Sequence, residues 1–204
     1  MALKTLSTLL ILLTLTLSSL AQNRYSNQQF EFSIEKPKHW VELAGSEILI
    51  GRENLNLKDG SLTDLLKEHQ GPLLLTAFSK YDPSTYDAGL IPKIQISAIA
   101  RHSRSFDEFT EEVAAGMNSF KNYFQDFIIT SPIRTVSISG IQCVHFSITF
   151  SLLTENGDKW KVRSSAYAIP YGKFFIQVSL TDGQEMVGNT ELFDRLISSI
   201  VVGK

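Results

Sequence analysis

The chain has one cysteine, Cys143, among its 204 residues. No disulfide can close within it, so the fold must rest on buried apolar surface. The expected state of that thiol is a small, partly buried filler. Charge of either sign is also not in excess, with 19 basic and 21 acidic residues giving a formal charge of −2. A chain without a basic surplus lacks the counterion-releasing surface that nucleic-acid binding needs, which excludes nucleic acid as an expected partner. Catalytic signatures are missing as well: there is no Gly-x-Ser-x-Gly turn, no His-Glu-x-x-His, and no glycine-rich loop between a strand and a helix. Nucleophile-elbow hydrolysis, zinc proteolysis and phosphate-loop chemistry thereby lose their main support.

Past the N-terminal segment no apolar run approaches the roughly 20 residues that a membrane-spanning helix requires. Membrane contact is expected to be peripheral at most. The first 21 residues read as an export signal: Lys4 is the only charge, Leu6 to Leu17 form a Leu/Thr-rich apolar run, and Ser19-Leu20-Ala21 offers the small residues needed for cleavage before Gln22. The expectation is a cleaved signal over 1–21 and a single domain over 22–204 that works outside the cytosol, in a periplasm or beyond the cell. The alternative is an uncleaved anchor. No cysteine follows the apolar run, so no lipid anchor is expected at the new N-terminus. The Gln after the cleavage point and the lack of an Asn-x-Ser/Thr sequon lean toward a bacterium.

Within the mature part, Asn23 to Gln29 is polar and reads as a loose leader. Phe30, Phe32 and Ile34 then alternate with charged or polar neighbours as a half-buried strand would, until Pro37 ends it and Trp40 folds back over the same core. A short strand is expected over Ile48 to Ile50, and a polar turn from Asn54 to Gly60. A short helix follows, opened by Ser61 and Asp64 and carrying Leu62, Leu65 and Leu66. Leu73 to Phe78 and Ile94 to Ala100 read as strands. The clearest helix runs from Phe106 to about Gln125. Phe106, Phe109, Val113, Met117, Phe120 and Phe124 share one face of it, and Ser105 with Glu108 forms a capping box. Two strands around Ile128 and Val136, a meander from Ile141 to Thr181, and a last helix from Asn189 with Leu192, Phe193, Leu196, Ile197 and Ile200 inward complete the chain.

The meander's register can be argued from its turns. A two-residue Asn156-Gly157 turn would put Lys161 opposite Leu152. A three-residue loop instead pairs Leu152 with Trp160, Phe150 with Val162 and Phe146 with Ala166, which segregates the apolar side chains. Treating Pro170-Tyr171-Gly172 in the same way pairs Ala168 with Phe174, Ala166 with Ile176 and Val162 with Leu180. One face then packs against the helices. The other collects His145, Tyr167 and Phe175, then Ser147, Ser165 and Gln177, then Thr149, Arg163 and Ser179: a wide, mostly uncharged, hydrogen-bonding surface, suited to recognition or else simply solvated or covered by the chain's own loops.

Metal and cofactor sites are not expected. Asn54 to Asp59 resembles a calcium loop only until Lys58, which stands where a ligand oxygen belongs. Cys143 and His145, two apart on one strand, share a face and could give two ligands, but His39, His69 and His102 fall in separate segments.

The order of elements resembles the PsbP-like family and related bacterial envelope proteins of the DcrB type. The resemblance spans nearly the whole mature chain. It is carried by Phe32-Ser33-Ile34 running to Pro37 and Trp40, the Ser105-capped helix, Val136-Ser137-Ile138-Ser139-Gly140 entering the meander, Phe174 to Val178, Glu191-Leu192-Phe193, and Ile200-Val201-Val202. It implies an α+β fold, an antiparallel sheet of about six to seven strands flanked by helices. It also implies a role in stabilising or assembling a larger complex rather than in catalysis. Some members of that family are linked to metal ions and others act as cytosolic chaperones; no ligand motif matches here, and the export signal argues against the cytosolic role.

Three functional classes follow. The preferred one is a non-catalytic exported domain that binds a protein or envelope component through His145, Tyr167, Phe175, Arg163 and Gln177, with no cofactor. The alternatives are an exported hydrolase-like enzyme with no recognisable motif, and a purely structural envelope protein.

Overall fold

The protein is described by a computed structural model over residues 23–43, 72–86, 89–153 and 159–203. The export signal, the strand expected at 48–50, the helix expected at 61–66 and the 155–157 loop lie outside the described residues. Ten strands and two α-helices are present among those described: β1 (Arg24–Asn27), β2 (Phe32–Glu35), β3 (Val41–Leu43), β4 (Leu73–Ser79), β5 (Lys93–Ala100), α1 (Phe106–Ser119), β6 (Gln125–Ile138), β7 (Ile141–Leu153), β8 (Lys159–Tyr171), β9 (Phe174–Gly183), α2 (Asn189–Ser198) and β10 (Val201–Val202). Seven strands form one antiparallel sheet in the order β3-β4-β5-β9-β8-β7-β6, and a small second sheet has the order β1-β2-β10. The fold is α+β, a seven-stranded antiparallel sheet with helices packed on it, as the order of elements implies.

Both faces of the large sheet carry a core. Phe109, Val113 and Met117 of α1 pack on Val144, Phe146, Ile148 and Phe150 of β7, Val162, Ala166 and Ala168 of β8, and Phe175 of β9. On the opposite face, Phe193, Leu196 and Ile197 of α2 join Phe30, Phe32 and Ile34 over Ile94, Ile96, Tyr167, Ile169, Ile176, Val178 and Leu180. The Phe stripe of α1 is thus a core seam. Its N-terminus is capped by the Ser105 hydroxyl, which accepts from the Glu108 N–H at 3.1 Å; the Glu108 carboxylate reaches back to the Arg104 N–H rather than that of Ser105. The α-helix ends at Ser119 and tightens into a 3₁₀ turn over Phe120–Asn122, short of the expected Gln125.

Three further expectations are corrected. Residues 24–27 are not a loose leader but pair with β2 along its full length, Arg24 opposite Glu35 and Asn27 opposite Phe32. The two strands at Ile128 and Val136 are one 14-residue edge strand, bent by three register shifts against β7. The third correction concerns register. The β7–β8 pairing is the expected one, with Leu152 opposite Trp160, Phe150 opposite Val162 and Phe146 opposite Ala166. The β8–β9 pairing is not: Tyr171 faces Phe174 and Ile169 faces Ile176, so the turn is Gly172-Lys173. Gly172 has φ +58° and leads a two-residue turn of the primed kind, whose twist matches that of the strands. The register therefore slides by three residues from the expected one, and an odd slide exchanges the faces of β9. Ile176, Val178 and Leu180 gain the larger core, opposite Ala98, Ile96 and Ile94 of β5.

Candidate functional site

On the α2 side of the large sheet the side chains of β6, β7 and β8 stand in rows. Val136, Cys143 and Ile169 belong to the core under α2. Next come Arg134, His145 and Tyr167, then Ser131, Ser147 and Ser165, then Ile128, Thr149 and Arg163. Polarity rises along this series, from buried core to a half-exposed shelf of Ser147, Thr149, Ser165 and Arg163, bordered on the edge strand by exposed Arg134.

Arg134 reaches this face because β6 carries one extra residue between Ser131, opposite Ser147, and Arg134, opposite His145. Without it Ile133 would face His145. With it Ile133 turns to the α1 core and the guanidinium joins the polar rows.

His145 is 4% exposed, and both ring nitrogens are engaged. Arg134 Nε donates to Nδ1 at 3.1 Å, which makes Nδ1 the acceptor and places the ring proton on Nε2, 3.1 Å from Ser165 Oγ. Ser147 also donates to Ser165 Oγ, at 3.1 Å. Burial first, and the Arg134 charge second, push the His145 pKa down to about 4, so the imidazole is neutral at physiological pH. Its ring lies 4.4 Å from that of Tyr167, which in turn packs on Phe193 of α2 at 5.8 Å. Burial raises the Tyr167 pKa, helped by the Asp194 charge and opposed by Arg134. Burial also raises the Cys143 thiol to about 11, and Sγ donates to the Ile141 carbonyl at 3.3 Å.

Arg163 has a different setting. Its Nε and Nη2 donate to the two carboxylate oxygens of Asp182 at 3.0 and 2.7 Å, and Nη2 also reaches the Met186 carbonyl at 3.1 Å. Asp182 is fully buried and accepts from Asn189, the first residue of α2, at 3.1 Å. Asn189 accepts from Lys80 at 3.0 Å. The fork thus fastens the β9–α2 connection to the sheet, and hydrogen bonding to Asp182 holds the guanidinium more firmly protonated than usual.

Of the five residues expected on one surface, His145, Tyr167 and Arg163 do share a face. Phe175 and Gln177 do not. The β9 slide places Phe175 opposite Pro170 and against Phe109, 5.3 Å away, in the α1 core, and Gln177 beside Ala168 on that same side. His145 and Tyr167 form the floor of the shelf rather than its surface. Sequence reasoning missed Arg134 and Asp182. Pro132 was the available signal for an irregular edge strand, but the number of inserted residues is not written in the pattern. Among the described residues no group of three or more His, Cys, Asp or Glu side chains is placed to hold a metal ion, and no helix is long and apolar enough to cross a membrane.

No family model and no curated protein matches the chain. Solved structures do. A Pseudomonas aeruginosa protein of unknown function, PA94, described as a putative regulator, is similar with a TM-score of 0.50 and 14% identity over 81% of this chain and 98% of that one. Cyanobacterial PsbP (CyanoP) from Synechocystis sp. PCC 6803 has a TM-score of 0.49 and 12% identity over 88% and 91% of the two chains. A crystal structure from Bacteroides thetaiotaomicron has a TM-score of 0.46 and 14% identity over 89% of this chain; this chain spans about half of that protein, 48%. At such identities the likeness is one of fold alone.

Proposed function

We propose that the protein is an exported, non-catalytic domain that binds a protein or envelope component through the shelf of Arg134, Ser147, Thr149 and Ser165, with Arg163 at its margin. One observation carries this reading: half-exposed hydroxyls and an exposed guanidinium are ranked over a floor of His145 and Tyr167 that packing holds still. A surface already organised before contact loses little side-chain freedom on binding. The same geometry argues against a hydrolase here. A general base for Ser165 needs an unprotonated nitrogen facing the hydroxyl, yet Arg134 takes Nδ1 and leaves the proton on Nε2. The export segment over 1–21 supplies the proposed address.

The test is affinity capture from the native envelope with the immobilised wild-type protein and with Thr149→Glu, a change at a half-exposed position. The reading expects defined proteins or envelope material on the wild type and a loss of at least about tenfold on the variant, the effect of roughly 1.4 kcal/mol. Equal capture by both would rule out the shelf as the contact.

A further inference from the structure

The hydrogen-bond bookkeeping of the shelf specifies what chemistry it presents outward. Arg134 has five N–H donors and no acceptor. Nε–H is spent on His145. No ion pair to Arg134 occurs among the described residues, although its side chain is exposed. Ser165 Oγ receives the His145 Nε2–H and the Ser147 hydroxyl, which fills its lone pairs and leaves its own proton to donate outward. Both outward-facing groups are therefore donors, and one carries a full positive charge held in place at its Nε.

We propose that Arg134 and Ser165 form a receptor for an acidic peptide segment: the remaining Nη donors of Arg134 take the carboxylate of a Glu or Asp, and the Ser165 hydroxyl takes a carbonyl oxygen of the same segment. This deepens the binding role proposed above and rests on it. A carboxylate is acceptor-only and matches a guanidinium fork with two parallel hydrogen bonds. Buried neutral His145 contributes by fixing the fork, since an arginine pinned at Nε loses less rotamer freedom when it binds. Asp194 on α2, whose charge reaches Tyr167, is the nearby opposing charge. It favours one carboxylate seated on the Arg134 side over a dense acidic cluster.

The probe is a blocked peptide, acetyl-Gly-Glu-Gly-amide, titrated into the purified protein, with acetyl-Gly-Gln-Gly-amide and inorganic phosphate as comparisons. NMR of the Arg134 Nε–H and the His145 ring is the readout. The Glu peptide should shift both signals saturably and bind at least about tenfold tighter than the Gln peptide. In Arg134→Gln the His145 ring should no longer respond. The comparison between peptides uses wild-type protein alone, so it stands even if the variant is unstable. No saturation with the Glu peptide, equal affinity for the Gln peptide, or tighter binding of phosphate would each overturn the receptor. If capture through Thr149 persists while the Glu peptide gives no shift, the carboxylate receptor falls and the binding role remains. If the peptide response is intact while capture is lost, the partner reading is the one that fails.

Discussion

His145 and Arg163 show how a residue's neighbours decide its role. Both were expected as polar contacts on a free face, and both are held by groups that lie far off in sequence. For His145 the consequence is a pH dependence of stability. Its folded pKa, about 4, lies below the usual histidine value of 6.5, so the unfolded chain binds more protons between these values. The stabilising contribution is complete above about pH 6.5 and is lost as pH falls toward 4, on the order of 3 kcal/mol in all. Urea unfolding at pH 7 and pH 5 should show a decrease that is smaller in His145→Asn; an identical decrease in the two proteins would contradict the burial of a neutral imidazole. Arg163 predicts a stability effect of another kind. Arg163→Ala strands the fully buried Asp182 carboxylate and should cost about 3 kcal/mol, whereas Arg163→Met with Asp182→Leu should recover most of it. A loss below about 1 kcal/mol in the single variant would show that solvent reaches Asp182.

Turns and bulges account for what was legible among the elements. The α1 seam, the β7–β8 register and the start of α2 could be read because each has a strong period and one apolar face. In β9 the alternation itself is clean, with Phe174, Ile176, Val178 and Leu180 on one face and Phe175 on the other, but β8 carries apolar side chains on both faces, so alternation cannot choose which of them β9 joins and the turn must. Pro170 drew the turn toward itself, yet it lies two residues past Ala168, the last β8 residue paired with β7, where a strand tolerates a missing N–H. The actual turn needs φ +58° at Gly172. Gly172→Ala should therefore cost about 1 kcal/mol in chemical denaturation without changing the fold, and a neutral effect would contradict the two-residue turn. The edge strand was less legible still. Its three shifts depend on how residues 125–138 fit against a β7 already fixed by the α1 core, and that fit has no local signature.

For the whole molecule, layering explains why a correct fold class coexisted with a partly wrong surface. A sheet with one covered face would leave all its odd-numbered β7 side chains to solvent. Among the described residues, α2 and the small β1-β2-β10 sheet cover the second face as far as His145 and Tyr167, and Ser147 and Thr149 beyond them are half-exposed. The proposed contact surface is this half-exposed remainder, with Arg134 swung onto it by the bulge in β6. The most direct measurement is site-specific photocrosslinking in the producing cells, with a photoreactive phenylalanine at Thr149 and, as a control, at Glu111 on the exposed side of α1. The account predicts a discrete crosslinked species from position 149 that is absent from position 111. The same species from both positions, or none from 149 in correctly folded protein, would contradict it.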